Sequence, residues 1–193
     1  MDIQTVKEEL AALTETIYFD EQNFLREQSS DPLQLRRVID LAEQAVKSNE
    51  DERFFLYGTL GNLYRILGEP KMAIHYLKLN LRDAVNTRSA RREIVTLIRL
   101  GEALKYDVRH EEAMEMFNRA SLRCEETDDT IYRDFVLQHK GKCLLEMHKV
   151  DEAMECFRRA LTLRMEKGDV ALIHSTEQAL VFARKLLASD GNE

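Results

Sequence analysis

Tryptophan is absent from the 193 residues, proline occurs twice and glycine seven times. So few chain breakers argue against a sheet protein built on many tight turns and favour long helices with short connections. Runs of β-branched residues are scarce apart from Ile94-Val95-Thr96, and so is period-two alternation. No apolar run approaches the roughly 18 residues of a membrane span. The opening MDIQTVKEEL carries charge where a secretory leader would be apolar. The three cysteines, Cys124, Cys143 and Cys156, are odd in number and have no CxxC spacing, which points to small core residues and a reducing, cytoplasmic location. No P-loop, GxGxxG, GxSxG or HExxH motif occurs, and His139 and His148 lie too far apart on one helix to share a metal. Nothing in the sequence points to an enzyme, a metal or another cofactor.

Positive charge is also lacking. The formal net charge is −7, and residues 1–50 hold eleven acids against five bases, which leaves the remainder close to neutral. An acidic chain without a basic patch is not expected to bind nucleic acid. The charge split also makes the acidic segment 1–50 a candidate to contact basic surface elsewhere in its own chain or in a neighbour.

What the sequence does have is a period. Gly61, Gly101 and Gly141 are spaced by 40 residues, as are Ala73, Ala113 and Ala153. Large residues follow the same spacing at Leu77, Phe117 and Phe157, at Tyr64, Leu104 and Leu144, and at Tyr57, Leu97 and Leu137. The last set is Asn80, Ala120 and Ala160. Such a repeat predicts units of two antiparallel helices, with the glycine on the first and the alanine on the second. Two small residues facing each other would let the backbones approach, with the large residues filling either side.

The stretches YGTLGNLYRILGEPKMAIHYLKLNL, LIRLGEALKYDVRHEEAMEMFNRAS and LQHKGKCLLEMHKVDEAMECFRRAL resemble the tetratricopeptide repeat (TPR) family in register. The resemblance implies an all-α solenoid, a short right-handed superhelix with units at about 53–88, 93–128 and 133–168. The chain departs from the family pattern at Lys140 and Asn80 and lacks the proline that commonly ends the second helix. Its period is 40 residues, against roughly 34 in the family. Helices that run longer at each junction account for the surplus. Long-period arrays of this kind look like those of Pins-like scaffolds, kinesin light chains and bacterial peptide-sensing regulators.

A stack of helix pairs needs caps. Residues 1–50 read as a helical cap or degenerate first repeat. Val6, Leu10, Leu13 and Ile17 form a helical stripe, and Asp31-Pro32 starts a second helix. Residues 169–193 read as a capping helix after the Gly168 stop, closed by a frayed polar tail, SDGNE.

The resemblance places a concave groove on the first helices. Its stripe falls at Thr59, Asn62 and Arg65, at Arg99, Glu102 and Lys105, and at His139, Lys142 and Leu145, with Gln138 beside it. Four bases against Glu102 suit an acidic peptide or a free carboxylate. A clamp for chaperone tails is not expected, because Gly58 stands where that clamp needs lysine. The expected function is a non-catalytic protein- or peptide-binding module. The alternatives are a homo-oligomeric scaffold, such as a homodimer through an end helix or the convex face, and a regulator that responds to a small peptide.

Overall fold

A computed structural model describes residues 2–190 of the chain. In chain order it runs α1 (Ile3–Leu13), β1 (Ile17–Asp20), β2 (Arg26–Ser29), α2 (Pro32–Val46), α3 (Arg53–Ile66), α4 (Pro70–Asn86), α5 (Ala90–Tyr106), α6 (His110–Glu126), α7 (Arg133–Glu146), α8 (Val150–Lys167) and α9 (Val170–Asp190). The pairs α3/α4, α5/α6 and α7/α8 are the three units of the period. The first helices α3, α5 and α7 pack on one another more closely than α4, α6 and α8 do. This puts the first helices on the inner side of the stack.

The repeating glycine has a different partner from the one its spacing suggests. A Cβ on Gly101 would lie 2.6 Å from Cε1 of Phe117, and one on Gly141 would lie 2.6 Å from Cε1 of Phe157. On Gly61 it would meet Cγ of Leu77 at 2.4 Å. The glycine therefore makes room for the large residue on the second helix, not for a facing alanine. Ala73, Ala113 and Ala153 are fully buried nearby. A methyl group at any of the three glycines would overpack the unit.

The turns repeat as well. Gly68, Val108 and His148 end the first helices with positive φ, and Arg88, Asp128 and Gly168 end the second helices in the same way. A left-handed residue closes each of these helices and releases the chain for the next.

The ends of the array carry the expected signals. Asp31 Oδ1 accepts from the Gln34 amide at 2.9 Å and starts α2 with Pro32 in its first turn. Gly168 ends α8 with φ 72°, and Asp169 Oδ1 accepts from the Leu172 amide at 3.1 Å to start α9. Residues 191–193 of the tail lie outside the described residues, and the expected fraying with them.

The N-terminal region differs from the helical reading. α1 stops at Leu13, and Ile17 belongs to β1 instead of continuing the helical stripe. The strand residues Ile17-Tyr18-Phe19 are β-branched and aromatic, types that favour extended backbone. β1 and β2 form an antiparallel hairpin with Tyr18 opposite Gln28 and Phe19 opposite Glu27. The Ser30 amide donates to the Thr16 carbonyl at 2.9 Å and closes the base of the hairpin. At its tip, Phe24 and Leu25 have φ of 51° and 58°.

The inner face and the hairpin as candidate functional site

The hairpin lies along the inner face of the stack and touches successive first helices. The Arg65 guanidinium of α3 donates to Glu27 of β2. The Glu27 amide donates to the Tyr106 hydroxyl of α5 at 2.6 Å. Arg26 clasps Glu146 of α7 with two bonds, Nε to Oε1 at 2.9 Å and Nη2 to Oε2 at 2.7 Å. The same Nη2 donates to the Lys105 carbonyl at 3.0 Å. The Lys142 ammonium lies 3.5 Å from the Leu25 carbonyl and 4.1 Å from the centre of the Phe19 ring. At the tip, Leu25 enters an apolar cluster with Leu144, Leu145, Phe157 and Phe182. Phe24 meets His148 and Phe182 edge-on, with ring centres 6.1 and 6.3 Å apart. Glu21 pairs with Lys185 of α9 at 3.2 Å.

Beneath the hairpin the predicted groove residues form a buried ion network. The Glu102 carboxylate lies 3.2 Å from the Lys105 ammonium, 3.1 Å from Nδ1 of His139 and 3.9 Å from the Arg65 guanidinium. Burial pushes the Glu102 carboxyl up, but Lys105, His139 and Arg65 outweigh it and hold its pKa well below the ordinary value. Burial likewise opposes ionisation of Glu27, and Arg65 outweighs it, so that pKa is lowered too. Lys105, fully buried, loses hydration but keeps a raised pKa because Glu102 lies against it. For Lys142 the acids do not prevail: burial and then Lys105 push it down to about 8 against the opposing pull of Glu102 and Glu27. The Tyr106 ring sits amid the cations, with Arg65 at 4.7 Å, Arg26 at 4.8 Å and Lys105 at 5.2 Å from its centre.

The other predicted positions divide. Asn62 supports Arg65 by accepting its Nη2 at 2.7 Å. Leu145 is fully buried, in the same apolar cluster as Leu25. Gln138 is buried, and neither end of its amide finds a partner among the described residues. Thr59 is half-buried. Arg99 is exposed, and its guanidinium fills the space that Gly58 leaves by lacking a Cβ.

The picture of four free bases in a solvated groove is corrected in two ways. Arg65, Lys105 and Lys142 are buried. A second acid, Glu146, faces them, 3.8 Å from Lys105 and 2.8 Å from His110. Glu146 and Tyr106 occupy the position five past each repeat glycine, next to the stripe the sequence pointed to. That offset would have found them. The contacts of Arg26 and Glu27 had no local signal beyond the acidity of their segment.

Comparison with known proteins agrees with this architecture. Residues 136–164 match the family model of the tetratricopeptide repeat. A Podosopora anserina chain of nearly identical TPR-like repeats superposes with a TM-score of 0.64 at 13% identity, covering 97% of this chain and 89% of that one. A Rap protein complexed with Competence and Sporulation Factor gives 0.72 at 15% identity, over 81% of this chain and 46% of that one. Bacillus thuringiensis PlcR, in complex with the peptide PapR7 and DNA, gives 0.65 at 16%, over 76% and 54%. The chain thus spans about half the length of the last two. No curated protein matches it in sequence. At these identities the likeness concerns the fold, which is a TPR solenoid.

Proposed function

We propose that this TPR-fold array is a non-catalytic module that binds an extended segment of a protein or peptide across its inner face. One observation carries the reading: an extended segment already lies there, held by side chains from α3, α5 and α7. The face therefore has the dimensions and the hydrogen-bonding groups for a strand-like ligand. The Rap and PlcR structures, which share the fold, are described as complexes with a factor and a peptide, and this supports the same reading. A regulator that responds to a small peptide is a second form of it, favoured by a segment that would have to move for a ligand to enter. A homo-oligomeric scaffold is less well supported: on the outer face of α9 the exposed Val181 and Leu187 are interspersed with Glu177, Arg184 and Lys185.

The test is selection of binders from a displayed library of random short peptides against the full chain. Arg99→Glu with Lys142→Glu should weaken the selected peptides by at least about tenfold, and Arg119→Glu on the exposed side of α6 should not. Lys142→Glu also loosens the hairpin, so lost binding cannot be ascribed to a tighter plug. Peptides that bind the double variant as well as the parent would place the ligand elsewhere.

A further inference from the structure

We propose that the hairpin is a built-in competitor for the inner face, and that its tip Phe24-Leu25-Arg26-Glu27 states the chemistry of the ligand: two apolar residues at a tight turn followed, in extended backbone, by a base and then an acid. The inference rests on the binding-module reading above and narrows it.

Each of the four residues has its own receptor on the array. Leu25 fills the cluster of Leu144, Leu145, Phe157 and Phe182, and Phe24 lies edge-on to His148 and Phe182. Arg26 takes both oxygens of Glu146, and Glu27 takes Arg65. The side chains of Glu146 and Arg65 are 4% and 5% exposed. A ligand that covers them without an opposite charge at each point leaves Glu146 only His110 and the more distant Lys105, and leaves Arg65 only Asn62 and Glu102 at 3.9 Å. The order matters as much as the composition. An all-acidic segment would set a carboxylate against Glu146, and an exchanged pair would set like charges together at both points.

The hairpin is also built to leave. Leu25 is the one buried side chain between Thr14 and Ser30. The strands are four residues each, and an isolated two-stranded sheet is marginal in water. Phe24 and Leu25 hold left-handed conformations that residues other than glycine avoid. The Ser30–Thr16 bond closes the base, so the hairpin can lift while α1 and α2 stay in place. While docked it acts as a tethered ligand, at an effective concentration on the order of millimolar. A ligand in trans must outcompete it.

The test uses the full chain and a labelled peptide of residues 17–29, IYFDEQNFLREQS. In the variant carrying Arg26→Glu and Glu27→Arg the hairpin opposes Glu146 and Arg65 and undocks, and circular dichroism should show unchanged helix content. The peptide should bind this variant at least about tenfold more tightly than it binds the parent. A peptide with its Arg and Glu exchanged should bind neither. Leu25→Asp, which releases the tip by a different route, should behave like the double variant. Equal binding of both peptides would overturn the stated chemistry while leaving the binding-module reading intact. Equal binding of the native peptide to parent and variants would show that the hairpin does not compete. No binding to either folded variant would overturn the inference, and the library selection would then judge the broader reading alone.

Discussion

Two pieces outside the repeat cover the array, and they are held in different ways. α9 closes the end of the stack and follows its last unit directly. It buries Thr176, Ala179, Leu180, Phe182 and Ala183, and a buried charge cluster fastens it. Arg164 of α8 donates to Asp134 at 2.8 Å, to the Thr176 hydroxyl at 2.7 Å and to the Leu172 carbonyl at 3.1 Å. Lys167 reaches the other oxygen of Asp134. The hairpin instead buries one side chain, Leu25, and its own ion-pairing residues, Arg26 and Glu27, stay 17% and 28% exposed above the buried Glu146 and Arg65. Apolar burial and a satisfied internal charge make a permanent joint, whereas a strand whose own charged groups keep access to water makes a releasable one.

The comparison can be broken at its strong end first. Arg164→Ala leaves Asp134, which is fully buried, with Lys167 alone, and should cost about 3 kcal/mol, the low end for breaking a buried pair. Urea denaturation measures it. Replacing both residues, Arg164→Met with Asp134→Leu, should recover most of that loss. A cost near zero for the single change would mean that α9 is held by its apolar face alone.

Arg26→Ala tests the other joint. It removes both bonds from the hairpin to Glu146, which keeps His110 at 2.8 Å and Lys105 at 3.8 Å. The amides of 17–29 should exchange at least about tenfold faster, while the urea midpoint of the helices changes by no more than about 1 kcal/mol equivalent. A loss as large as that for Arg164→Ala would make the hairpin an integral part of the core.

The smallest effect is set by pH. The Glu27 and Glu102 carboxyls lie below their ordinary value of 4.5 in the folded chain. Their contribution is therefore complete above about pH 4.5 and is lost as pH falls through the lower folded values. Hairpin amides should lose protection on acidification before the helices melt. Lys142 acts at the alkaline end. Its pKa of about 8, below the ordinary 10.5, means that the unfolded chain binds more protons between those values. Stability should rise slightly with pH from about 8 to 9; above that the thiols of Cys143, Cys124 and Cys156, whose pKa values burial raises from 9.0, act in the opposite direction. Exchange and melting followed from the acid range up to about pH 9 decide the point, and a decline between about 8 and 9 would contradict the burial of Lys142.

Legibility followed the range of the physical signal. The helix pairs could be read because glycine, alanine and aromatic positions recur within each unit. Asp31 and Gly168 could be read because caps are local. The hairpin was not legible: Ile17 continues an apolar helical spacing from Val6, and only the fold shows the chain leaving the helix through a 3-10 turn at Thr14–Thr16 and becoming extended at Ile17. The glycine stripe was found, but its partner was not, since spacing alone does not tell which residue of the second helix comes closest.

The sequence by itself determined the repeated helix pair, its 40-residue period and the two ends of the array, because each depends on residues a few turns apart. It also determined an inner face rich in bases and an N-terminal segment rich in acids. Tertiary structure decided that these meet within one chain, and that Glu146 joins Glu102 opposite the four bases. Arg26 and Glu146 are separated by 120 residues, and a pairing over that distance exists only once the stack has formed and brought its first helices under the hairpin.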